Sequence, residues 1–176
     1  MPHGRDRWAG LGVVMSGAGA LWKGGFVPPT RILVLCSGNS CRSPMAAALI
    51  ARELAAVGAD ARVSSAGLAG PTGSPASAAA VAVMAEVGVD LAGHTSRIVA
   101  EADIDQADLI VVMTDAHRSE VARLGAGADR IRVLGVADPF GSTPDRYRET
   151  RDRLFAEAVA IAHELDPDGP RSWFSG

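Results

Sequence analysis

Cys36 and Arg42 bracket five residues in the run Leu35-Cys-Ser-Gly-Asn-Ser-Cys-Arg-Ser-Pro44. A thiolate is a strong nucleophile, and a guanidinium grips an oxyanion with two parallel N–H bonds. Ser37, Gly38, Asn39, Ser40 and Cys41 between them supply backbone N–H groups for the same anion. Gly38 allows close backbone approach, and Asn39 tolerates a left-handed conformation while its amide locks the loop. The Ser43 hydroxyl is expected to hydrogen-bond the sulfur, as thiolate and as leaving group. Cleavage of a phosphate ester by a thiol also needs a proton for the departing group and a base to activate water afterwards. Asp138, held by Pro139 in the turn Ala137-Asp-Pro-Phe-Gly141, is the carboxyl best placed for both tasks. The bland readings are that a free cysteine is a small buried hydrophobe, which stays open for Cys41, and that Asp-Pro-Phe-Gly is only a turn.

These side chains need a scaffold that brings distant loops to one edge. Residues 31–36 form an apolar run of strand length. The sequence then predicts a helix over 44–57, with Ser43 as its N-cap, Pro44 at the first helical position and Gly58 as its stop. A second strand is expected over 61–66, a loop over 68–75 and a helix over 76–87 with Val81 and Met84 to Ala85 on one face. Residues 91–104 read as a loop and a short helix. Residues 109–113 read as a buried strand, 115–124 as a short helix, and 132–134 as the start of a fourth strand. From Pro144 a last helix carries Tyr147, Leu154, Ala158, Ile161 and Leu165 as one apolar stripe. Strands alternating with helices imply an α/β protein whose parallel sheet is covered on both faces. In such sheets ligands bind beyond the carboxyl ends of the strands, which is where the cysteine loop leaves its strand.

The domain is expected over residues 30–166. Residues 1–29, closed by Pro28-Pro29, read as a flexible extension, with Met15 as an alternative start and an export signal as the weaker choice. The uncharged stretch from Trp8 to Trp22 is too short to span a bilayer as a helix. Residues 167–176 read as a loose tail. A net charge of −3 gives no support for binding nucleic acid or a membrane surface. Two cysteines are too few for a disulfide scaffold or a cysteine zinc site, so no metal or cofactor is expected. A working thiol also requires a reducing compartment, hence the cytoplasm.

Taken together, Val34-Leu-Cys-Ser-Gly-Asn-Ser-Cys-Arg-Ser-Pro-Met45, Ser64-Ser-Ala-Gly67, Gly93-His94 with Arg97, Asp108-Leu-Ile-Val-Val-Met-Thr114 and Asp138-Pro-Phe140 resemble the low-molecular-weight protein tyrosine phosphatases. The likeness runs from residue 31 to about 165, in the family's order. It implies a flavodoxin-like three-layer sandwich with a four-stranded parallel sheet. It also implies Cys36 as nucleophile, Arg42 as phosphate clamp, Asp138 as general acid and base, and Cys41 as a thiol that pairs reversibly with Cys36 against over-oxidation. Phosphorylated proteins would be the substrates and inorganic phosphate the product, with the chain a monomer or weak dimer.

Two departures concern substrate. Tyrosine-specific members carry a bulky aliphatic where Ser40 stands, and aromatic walls where this chain has Leu68 and a single Phe140. A small hydroxyl at position 40 resembles the protein-arginine phosphatase branch, so Ser40, Leu68 and Phe140 are taken as the substrate pocket and phosphoarginine is favoured over phosphotyrosine. Arsenate reduction on the same scaffold lacks its later cysteines, and a non-catalytic phosphate-binding module is disfavoured by Cys36, Arg42 and Asp138 together. Of the remaining residues, His94 and Arg97 are read as loop-orienting or surface groups, and His117 and His163 as structural or solvated. Tyr147 is read as core-facing, and Arg146, Arg148, Arg151 and Arg153 as a solvated helix face.

Overall fold

Ile32, Leu33, Val34 and Leu35 are all buried, as a strand covered on both faces requires. They belong to β1 (Thr30–Cys36), which pairs in parallel with β2 (Ala61–Gly67) on one side and β3 (Leu109–Val112) on the other. β4 (Ile131–Val133) completes a four-stranded parallel sheet in the order β2-β1-β3-β4. This computed structural model describes residues 29–166. The extension before Pro29 and the tail from 167 lie outside the described residues.

Helices α1 (Arg42–Val57), α2 (Ala78–Ala85) and α5 (Pro144–Leu165) cover one face, where Ile32, Val34, Val111 and Met113 pack with Leu49, Ile50 and Leu154. Helices α3 (Glu101–Gln106) and α4 (Asp115–Arg123) cover the other, where Leu33, Leu35, Ile110 and Val112 pack with Ile104 and Val121. The alternation of side chains along each strand thus feeds two separate cores, giving the expected three layers. From β1 the chain crosses to β2 on one side, and from β2 it crosses back over β1 to β3 on the other, so the strand order reverses at β1. A crevice opens there in doubly wound sheets.

Several element boundaries differ from the sequence reading. α1 begins at Arg42, and Cys41 occupies its N-cap without a side-chain cap bond. Ser43 therefore lies inside the first turn, with its hydroxyl turned inward instead of capping. The helix does end at Gly58, whose φ of 78° is left-handed and whose N–H bonds Ala55 O. α2 starts two residues later than expected. Pro75 bridges Thr95 and the Ser77 N–H donates to Ser40 O, so the chain is free to turn helical only from Ala78, under a Ser77 cap. Its buried face is Ala80, Val83 and Met84, while Val81 is half-buried and Ala85 exposed. Thr143 caps α5 and Pro144 takes its first turn, but Leu165 lies at the exposed end of the apolar stripe. The arginine row is not a solvated face throughout. Arg148 and Arg151 both bond Glu86, and Arg151 also donates to Val83 O, tying α5 to the end of α2. Among the described residues no helix is long and apolar enough to cross a membrane.

Candidate active site

The loop from Cys36 to Arg42 is held from outside through its carbonyl oxygens. Leu68 N–H donates to Cys36 O at 2.9 Å, Ala69 N–H to Ser37 O at 2.8 Å, Ser77 N–H to Ser40 O at 2.7 Å and Met45 N–H to Cys41 O at 3.2 Å. His94 Nε2–H donates to Asn39 O at 2.7 Å. In a planar trans peptide the carbonyl and the following N–H point in opposite directions. Turning the carbonyls outward therefore turns the N–H groups inward. Among the described residues, nothing accepts from the N–H groups of Gly38, Ser40, Cys41 or Arg42. Several such donors converging at a helix N-terminus make an anion site.

Two glycines let the neighbouring loop approach closely enough to do this. A Cβ on Gly67 would lie 2.9 Å from Ser37 O, and one on Gly70 (φ +102°) 3.2 Å from Gly38 Cα. Asn39 adopts the left-handed φ of 52° expected of it and is buried. Its amide donates at 2.9 Å to both Ser43 Oγ and Ser65 Oγ, and its Oδ1 accepts from Arg97 N–H at 3.0 Å. His94 and Arg97 accordingly act as loop-holding groups.

Cys36 Sγ lies at the floor, 3.1 Å from Ser43 Oγ and 3.3 Å from the Asn39 N–H. Because Ser43 Oγ already accepts from Asn39, its proton is available for the sulfur, the shorter of its two remaining contacts. Arg42 is buried beside it. Its guanidinium donates to Val136 O, to Ser37 Oγ and, in an ion pair, to Asp138 Oδ2. Its Nε is buried with no partner among the described residues. A buried unpaired donor is costly, so this one calls for an acceptor from a ligand. Asp138, whose other oxygen accepts from Phe140 N–H, is 47% exposed and can reach beyond the pocket.

Cys36, Gly38, Ser40, Cys41, Arg42, Asp138 and Phe140 line one cavity of about 150 Å³, room for a phosphoryl group and the start of what it is attached to. Phe140 is 71% exposed and forms its outer wall. Leu68 is a correction. It is half-buried against the core under α3 and α4, on the far side of the loop, and does not line the cavity. The side chain after a strand end continues the strand's alternation, and here that sends it to the core. Cys41 is buried in the wall, where its thiol is pushed up to about 11, chiefly by burial, while a hydrogen bond from the Tyr147 side chain works the other way. Tyr147 is core-facing as expected, and buried.

Of the two readings of His117 the structural one holds, and it is buried against the site. Its Nε2 lies 3.0 Å from Ser37 Oγ and its Nδ1 3.0 Å from Thr114 Oγ1. Burial, and then the Arg42 cation, hold its proton affinity below the usual imidazole value. The available signal was positional: Thr114 and His117 follow β3 at the same sheet edge. Among the described residues no group of three or more metal-ligating side chains is placed to hold a metal ion.

The family model described as low molecular weight phosphotyrosine protein phosphatase matches residues 31–171. The chain is 36% identical over 151 residues to the protein-arginine-phosphatase of Geobacillus stearothermophilus, covering 80% of this chain and 99% of the relative. It is 38% identical over 131 residues to EpsP of Ralstonia solanacearum, a probable low molecular weight protein-tyrosine-phosphatase, covering 74% of this chain and 86% of that one. The solved YwlE arginine phosphatase from Geobacillus stearothermophilus superposes with a TM-score of 0.73 at 35% identity, over 79% of this chain and 94% of that structure.

Proposed function

Since the chain belongs to the low molecular weight phosphotyrosine protein phosphatase family, we propose that it hydrolyses phosphorylated protein side chains in the cavity floored by Cys36, through a phosphocysteine intermediate. The observation that carries this reading is the set of donors without acceptors among the described residues, Gly38, Ser40, Cys41 and Arg42 N–H with Arg42 Nε, in the loop that starts at one sulfur. They match the equatorial oxygens of a phosphoryl group and strengthen as charge builds there.

In the first step the Cys36 thiolate attacks phosphorus and the bond to the leaving group breaks, with Asp138, which takes up a proton from solvent once phosphate displaces it from Arg42, giving that group its proton. In the second, Asp138 takes a proton from water, the hydroxide attacks phosphorus, and the S–P bond breaks to release inorganic phosphate and the thiolate. The Ser43 hydroxyl and Asn39 N–H stabilise the sulfur each time it carries charge. Arriving phosphate competes with Asp138 for the Arg42 guanidinium, so binding itself frees the carboxyl to face the leaving group. Steady release of phosphate from a generic aryl phosphate in reducing buffer is the direct test, and its absence would refute the reading.

For substrate we favour phosphoarginine over phosphotyrosine. Ser40 brings a hydroxyl to the cavity, where an aliphatic would pack on a phenyl ring, and Phe140 is the one aromatic of its lining. A hydroxyl there can bond a guanidinium or the attacking water. Sites that bond a polar group discriminate more strongly than those that only accommodate one. The expected result is a higher kcat/KM on phosphoarginine than on phosphotyrosine peptides, with Ser40→Ile moving the ratio towards tyrosine by about 10-fold or more. Equal preference in the unmodified enzyme would overturn this assignment.

Cys41 is assigned the protective role. Peroxide converts Cys36 to a sulfenic acid, and the Cys41 thiol displaces water from it to form a disulfide that a dithiol reduces. A thiol pushed up to about 11 stays protonated at neutral pH, so Cys41 is itself a poor target for peroxide. Cys41→Ser is expected to keep turnover within a few-fold in reducing buffer but to lose its recovery by dithiothreitol after peroxide. Full recovery in the variant would remove Cys41 from this role. A chemistry that needs free thiols fits a reducing compartment, the cytoplasm.

A further inference from the structure

We propose that His117 is a positioning residue for the phosphate clamp, holding the Arg42 guanidinium in place through Ser37, and that it does so only in its neutral form. The inference rests on the phosphatase reading above and adds a residue which that reading does not use. Arg42 NH2 donates to Ser37 Oγ, so the Ser37 hydroxyl spends its proton elsewhere, and His117 Nε2 lies 3.0 Å away to accept it. His117 Nδ1–H then donates to Thr114 Oγ1, the oxygen that also caps α4. These contacts allow two proton arrangements, and the relay is the one in which the Ser37 hydroxyl donates to the ring. It runs in one direction, from Arg42 through Ser37 and His117 to Thr114, and joins the first turn of α1 to the first turn of α4.

The clamp needs such a support because its other anchor is built to let go. Once Asp138 leaves Arg42 on substrate arrival, two longer contacts remain, NH1 to Val136 O at 3.4 Å and NH2 to Ser37 Oγ at 3.5 Å. Ser37 is then the side chain that keeps NH2 turned into the cavity. Protonating His117 puts a hydrogen on Nε2, which takes away the acceptor for the Ser37 proton, makes that hydroxyl turn, and places a second cation near Arg42. The charged groups acting on the ring are Arg42 from α1, Asp138 from the loop after β4 and Glu120 from α4 itself. Burial and Arg42 outweigh the two carboxylates, so the ring is neutral at pH 7 and the relay is intact.

The test compares wild type, His117→Ala, His117→Gln, Ser37→Ala and the His117→Ala/Ser37→Ala double variant. It reads kcat/KM on an aryl phosphate from pH 5 to 8, with inorganic phosphate affinity measured by calorimetry. His117→Ala should lower kcat/KM about 10- to 100-fold, as expected when a substrate-orienting group shifts by about 1 Å, and weaken phosphate binding in step. Glutamine, which accepts from Ser37 without titrating, should recover most of that loss. The ratio of wild type to glutamine variant cancels the ionisation of substrate and of every shared group. It should fall as pH drops below the ordinary imidazole value of about 6.5. Adding His117→Ala to Ser37→Ala should cost little more than either alone. A flat ratio, additive losses, or unchanged phosphate affinity in His117→Ala would each overturn the proposal. Absence of wild-type turnover would instead refute the phosphatase reading, and the phosphate affinities would still decide whether His117 supports the anion site.

Discussion

Replacing Cys36 by serine is expected to lower aryl phosphate turnover by at least about 10⁴-fold while leaving inorganic phosphate bound within a few-fold of the wild-type affinity. The two halves of that result come from different atoms. Turnover needs a charged nucleophile at neutral pH. The floor of the cavity is arranged for a negative sulfur, with the Ser43 hydroxyl at 3.1 Å and the Asn39 N–H at 3.3 Å. A serine hydroxyl at that spot stays protonated, and those two donors do not make it an alkoxide. Binding, by contrast, draws on the loop N–H groups and on Arg42, which the substitution leaves alone. Measured together, turnover and phosphate affinity separate the nucleophile from the anion site. Residual activity of more than a per cent or so would remove Cys36 from its role. Phosphate binding lost along with turnover would show that the loop itself had collapsed.

What the sequence made legible, and what it hid, follows the reach of each interaction. Cys36, Arg42 and the left-handed Asn39 belong to one short loop between a strand and a helix, and their chemistry is local enough to read from spacing. Asp138 was legible for a topological reason, since every loop leaving a strand's carboxyl end of a parallel sheet reaches the same edge. Ser43 shows the limit of local reasoning. Of the two roles expected for it, the hydroxyl's contact with the sulfur is made, but the N-cap is not: the loop turns helical at Arg42, under Cys41, and Ser43 lies inside the first turn. His117 and Arg151 were out of reach altogether. Their partners, Ser37 and Glu86, are 80 and 65 residues away, and only the sheet order and the packing of α5 on α2 bring them together. Leu68 failed for a third reason: the strand's alternation carries one residue past its end and turns that side chain into the core.

Asp138→Asn is expected to lower kcat by about 10² to 10⁴-fold for a substrate with a poor leaving group, the range a positioned general acid supplies. The loss should shrink as the leaving group improves, because a stable phenolate departs without a proton. The wild type should therefore depend weakly on leaving-group acidity and the variant steeply, which is a signature a structural defect would not produce. KM should behave in the opposite sense. In the resting enzyme the Asp138 carboxylate is an ion-pair partner of Arg42, and phosphate must displace it. An uncharged asparagine competes less for the guanidinium, so phosphate and substrate should bind as tightly as before or tighter. On that outcome a single side chain opposes binding and promotes chemistry, which is what differential stabilisation of the transition state requires. Its partial exposure serves this exchange, since a carboxyl sealed beside Arg42 could not turn to a leaving group. Steady-state rates on a series of aryl phosphates, with inorganic phosphate as competitive inhibitor, measure both effects in one set of experiments. A uniform loss across the series would assign Asp138 to holding Arg42 and leave the proton donor to be found elsewhere.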